Sequence, residues 1–208
     1  MTLQTPQPPP SALRAVLAAL TSDAALRQSG AGPLRSPTGP LLPAHPLAVH
    51  QLPPGGGGST RALAAAPRTG WRFLIKHGGE VVAAAEVVRA AEGHTFSHFA
   101  AGPYLDSTVQ VLAQAWQLAH PLRSRHQPRL LSMPGHYATA LWLHCTETDT
   151  DADGDLLIPL APAPLGVTAH RAYPAAELLG LLARPTTGTT RSTATSTISA
   201  PLAAVPAF

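Results

Sequence analysis

The stretch Arg129–Ala161, RLLSMPGHYATALWLHCTETDTDADGDLLIPLA, decides how the rest of the chain is read. Two apolar runs flank an acidic loop. From Tyr137 to Thr146 the side chains alternate as a strand requires. Tyr137, Thr139, Leu141, Leu143 and Cys145 share one face, and His136, Ala138, Ala140, Trp142 and His144 share the other. Both faces are largely apolar, which predicts a central strand covered on both sides. The second run, Leu156–Leu160, carries Pro159, which has no amide hydrogen and suits an edge position or a strand end. Together the two runs read as a hairpin with a charged tip.

Upstream, Gly102-Pro103 opens the clearest helix pattern, with proline at the first helical position. Leu105, Thr108, Val109, Leu112, Ala115, Trp116 and Ala119 form its apolar stripe. Trp142, a large ring beside Ala138 and Ala140, is expected to lie under that stripe. Before the helix, Trp71–His77, Gly78-Gly79 and Glu80–Arg89 read as a hairpin with a two-residue turn. Pairing His77 with Glu80 sets Ile75 opposite Val82 and Phe73 opposite Ala84. His94–Phe99 supplies a third strand.

The ends read differently. Residues 1–10 are proline-rich and expected to be disordered. Ser11 is a candidate N-cap for a helix over 11–28, with Leu13, Val16, Leu17, Leu20 and Ala24 on one face. Residues 29–61 read as a Pro/Gly-rich linker in which Ala44–Leu52 forms at most a short edge strand. Pro174–Arg184 is an amphipathic helix, and the Thr/Ser-rich residues 186–208 have no hydrophobic period. The expected fold is a single α+β domain over residues 62–185. An antiparallel sheet of about five strands carries two or three packed helices between disordered flanks. The element order is similar to that of profilin-like, roadblock-type and small secretion-chaperone-like modules.

Composition excludes several classes of function. Charged residues make up 12% of the chain, about half the usual share of roughly 25%. The net charge is +3, and there is no basic stripe of the kind that follows a nucleic-acid backbone. No apolar segment approaches the roughly 20 residues that span a bilayer. A single cysteine, Cys145, precludes an internal disulfide and suits a reducing compartment, so the expectation is a soluble, cytoplasmic protein.

The candidate chemistry is sparse. Asp149, Asp151, Asp153 and Asp155 alternate as in a calcium loop of the D-x-D-x-D-G type, but Leu160 stands where the bidentate glutamate belongs, and strands flank the loop. A solvated, charged hairpin tip is the favoured reading, with at most weak calcium binding and no other cofactor. His94 and His98 have helical chelate spacing, but on a strand they would stand roughly 13 Å apart. Cys145 and His144 point to opposite strand faces and form no dyad. Arg123, Arg125 and Arg129, in the loop RSRHQPR, form the basic cluster best suited to an acidic or phosphorylated partner, and Trp142 is the candidate aromatic anchor. No nucleophile elbow, phosphate loop or dinucleotide fingerprint occurs. The expected function is a non-catalytic protein-binding, adaptor or chaperone-like module whose partner is another protein. The alternative is an enzyme with a pocket gathering two or more of His120, His136, His144 and His170 with a carboxylate.

Overall fold

A computed structural model describes residues 3–35, 38–53, 58–119, 125–147 and 154–184. The architecture is α+β, built on a single eight-stranded sheet rather than about five strands. The strands are β1 (Leu41–Gln51), β2 (Arg68–His77), β3 (Glu80–Ala90), β4 (Gly93–Ala100), β5 (His126–Met133), β6 (Ala138–Cys145), β7 (Leu156–Pro159) and β8 (Tyr173–Pro174). Their order across the sheet is β4-β3-β2-β1-β5-β6-β7-β8. Two quartets therefore fan outward from a shared seam, where β1 and β5 pair in parallel; every other pairing is antiparallel. A helix follows each quartet, α4 (Pro103–Ala119) after β4 and α5 (Ala175–Ala183) after β8.

The helices cover both faces. On one side α4 lays Leu105, Val111, Leu112 and Ala115 over Leu74, Leu130, Leu141 and Leu143. On the other side there are two covers. Over β2–β4 lie α1 (Pro10–Leu20), α2 (Asp23–Leu26) and a 3-10 turn at Ser29–Leu34, which bury Trp71, Phe73 and Ile75. Over β5–β7 lie α3 (Thr60–Ala64) and α5, which bury Leu131, Met133 and Trp142. No helix among the described residues is long and apolar enough to cross a membrane.

Several expectations change. Residues 41–51 are neither linker nor edge strand: β1 is the fourth of the eight strands and joins the two quartets. Its prolines show how this is tolerated. Pro46 falls in the bulge between Ala44 and Leu47, and Pro43 lies in the half of β1 that pairs with β2 alone. The Gly78-Gly79 turn and the His77–Glu80 pair form as expected. A bulge after Ile75 then shifts the register by one, so that Ile75 faces Ala83 and Phe73 faces Ala85. The α4 stripe is rotated towards Ser107, Thr108 and Val111, leaving Trp116 exposed. Pro159 ends β7 as foreseen, but the two-residue β8 covers that edge. Helix α1 begins at Pro10, and Ser11 bonds His94 instead of capping. Leu3, expected in a disordered lead, is buried and bridges to His126.

Candidate functional site

A single cross-strand row organises the site. Read through the pairings, Phe96, Val87, Trp71, Ala48, Arg129, Trp142, Leu157 and Tyr173 lie side by side, one from each strand. Arg129 is the one charged member, and it sits at the middle of the sheet. The sequence places it in a basic loop. The chain instead enters β5 at His126, so Arg129 becomes the direct cross-strand partner of Trp142. Its guanidinium carbon lies 4.9 Å from the Trp142 ring centre, and its Nε donates to Gln127 Oε1 at 2.9 Å.

Trp142 is fully buried, but not beneath the long helix. The α4 stripe covers the opposite face, with Leu141 and Leu143, while α3 and α5 cover Trp142. Two imidazoles meet its ring edge-on, His50 at 5.2 Å and His144 at 5.3 Å between centroids. Its indole Nε1 donates to Asp155 Oδ2 at 2.6 Å. Asp155 also accepts from the Cys145 amide at 2.7 Å and from His144 Nδ1 at 3.2 Å. A carboxylate read as part of a solvated tip is thus a buried acceptor for three donors, which is how a buried carboxylate becomes tolerable. Cys145 packs behind it as a small buried thiol.

His50 completes the group from β1. Its Nδ1 donates to the Ala66 carbonyl at 2.9 Å, which leaves Nε2 as the unprotonated nitrogen of the neutral ring. Burial holds His50 below the ordinary histidine range. The charges of Arg129, Arg68 and His144 act the same way, against the bond to Ala66. Burial likewise lowers Arg129, an effect that Asp155 opposes. Arg68, exposed on β2, lies with its guanidinium carbon 5.3 Å from the centre of the Trp71 ring.

Of the sequence-derived candidates, Arg129, Trp142 and Asp155 come together. Arg125 lies apart, exposed and 3.9 Å from Glu147. Arg123, Asp149, Asp151, Asp153 and His120 lie outside the described residues. Among the described residues no group of three His, Cys, Asp or Glu is placed to hold a metal ion. The remaining histidines are dispersed. His136 sits in the 3-10 turn Pro134–His136, while His170 bonds Ser107 Oγ at 2.8 Å. That serine, on α4, also accepts the Ala161 amide and is buried, so the pair ties helix to loop. His50 and Arg68 carry no motif in the sequence, since one lies in an apparent linker and the other shortly after it.

A second surface feature lies where β5 and β6 meet the 3-10 turn. Tyr137, expected as the first strand residue, instead holds a left-handed backbone (φ 49°) and is 96% exposed. It borders an open groove of about 430 Å³ with Tyr104, Pro134, Thr139 and Pro162. No family model, curated protein or solved structure matches the chain.

Proposed function

We propose that the protein is a non-catalytic protein-binding module of the adaptor or chaperone type, and that Tyr137 anchors its partner. The exposure of Tyr137 carries this reading. A ring left 96% exposed adds little to folding, yet the backbone beneath it adopts a conformation that costs a bulky residue energy. Tyrosine is among the residues enriched at the centres of protein interfaces, and the adjoining groove offers the aromatic and proline surface such an anchor uses. The dispersion of His136, His144 and His170 among separate parts of the fold favours binding over catalysis, since acid–base chemistry needs such groups within reach of one substrate.

The test is Tyr137→Ala. Its melting temperature should stay within the change expected of a surface substitution, about 0.5 kcal/mol or less. Wild-type and variant baits are exposed to extract of the native cell, and any partner retained is purified and titrated calorimetrically. A partner bound by the wild type and lost with Tyr137→Ala supports the reading. Equal binding to both, or no partner, removes it.

A further inference from the structure

Arg129 is an unexpected residue for its position. Its seven companions in the cross-strand row are apolar, and a leucine or methionine there would pack without the cost of desolvating a charge. Asp155 does not offset that cost directly. Its oxygens already serve Trp142, Cys145 and His144, and the one side-chain hydrogen bond of Arg129 among the described residues goes to the neutral Gln127. Beside Arg129 stands Ala48, the smallest side chain in the row, and beyond it Trp71. The Trp71 Nε1–H is buried without an acceptor among the described residues, a costly state for a donor. The row therefore holds an under-compensated cation and, two strands along from it, an unpaired donor.

Four strands bring polar side chains to the seam. Arg68 on β2 is the cross-strand partner of His50 on β1, and His50, Arg129 from β5 and His144 from β6 all meet the Trp142 ring, at 5.2, 4.9 and 5.3 Å from its centre. Both imidazoles are anchored through Nδ1, His50 on the Ala66 carbonyl and His144 on Asp155, so the Nε2 of each neutral ring is left as an acceptor for a hydroxyl of a ligand. Arg129, His50 and His144 are half-buried and Arg68 is exposed, which leaves the group open on one side.

We infer that this seam is a binding site for a phosphate group, held between the guanidinium groups of Arg68 and Arg129 with His50 and His144 at its flanks. Two permanent positive charges match a dianion better than a carboxylate. The planar fork of arginine suits the tetrahedral oxyanion, and partial burial strengthens each contact. The ligand is either free phosphate or the phosphate of a small ester. The site lies away from the Tyr137 groove and does not depend on the protein-binding reading.

The full chain is titrated with inorganic phosphate at constant ionic strength, by calorimetry and by thermal melting, with acetate as the monoanion control. Saturable phosphate binding with a rise in melting temperature is expected, and no saturable binding of acetate. Arg68→Gln, at an exposed position, should keep the fold and weaken phosphate binding by about tenfold, the loss of a charge-assisted hydrogen bond. Arg129→Gln should weaken it at least as much. Glycerol 3-phosphate separates the sources: tighter binding than inorganic phosphate assigns an ester, and equal or weaker binding assigns the free anion. Absence of saturable binding to the folded wild type overturns the site. So does phosphate binding that Arg68→Gln leaves unchanged.

Discussion

Asp155 and Trp142 are joined by a buried hydrogen bond of 2.6 Å. Removing the Trp142 ring leaves a cavity between β6 and the α3/α5 cover, so Trp142→Ala should cost about 3–5 kcal/mol in chemical denaturation. Asp155→Asn changes little in shape, but it replaces one acceptor oxygen with a donor that faces the indole or the Cys145 amide. It should cost about 1–3 kcal/mol, and less in a Trp142→Phe background where the indole donor is absent. Equal costs in both backgrounds would show that this hydrogen bond contributes nothing. His50 sets a pH dependence. It is harder to protonate in the fold than in the unfolded chain, so the unfolded state binds more protons as the solution is acidified. Its contribution to stability is full above the ordinary histidine value of 6.5 and declines as pH falls from there towards the lowered value. His45 and His94 are lowered as well and add to that slope. His50→Gln should therefore flatten, without abolishing, the fall in melting temperature on acidification; an unchanged slope would count against it.

Among the elements, β4 faces the hazard of any edge strand, a row of unpaired backbone groups open to another chain. The N-terminal segment blunts that edge. Gln28 Oε1 accepts the Phe99 amide at 3.4 Å, and Gly30 packs so closely that a Cβ there would lie 1.9 Å from the Phe99 carbonyl oxygen. Because the obstruction is backbone, it cannot turn aside. Gly30→Ala should undock the segment, so that limited proteolysis cuts first within residues 3–35 and size-exclusion chromatography shows concentration-dependent association. A variant that remains monomeric and uncut would show that the close approach is relieved elsewhere. The legibility of each element follows its locality. The β2–β3 hairpin, α4 and β6 carry their own periods and turns, and each was readable. Strand β1 was not: prolines at positions 43 and 46 break its pattern, and it becomes a strand because β2 and β5 pair with it.

For the whole molecule, β1 is the one connection in the sheet between the three strands β2–β4 and the quartet β5–β8. A chain trimmed to residues 62–185, the domain expected from sequence, lacks that strand as well as the α1 cover. It should show no cooperative melting transition, whereas residues 3–184 should melt as one unit; calorimetry of the two decides it, and a sharp transition in the shorter chain would make β1 dispensable. From sequence alone came what is encoded within a few residues: the α+β class, the two-residue glycine turn, the long helix, and the apolar faces of β6. Tertiary structure alone decided which cover lies on Trp142, that Asp155 is buried, and that Arg129 and His50 both meet the Trp142 ring while Arg68 pairs with His50 across the strands. Periodicity says which side chains share a face, but not which distant element will cover it. That choice depends on non-local pairing, where β1 and β5, far apart in the chain, align in parallel and bring residues from four strands to one place.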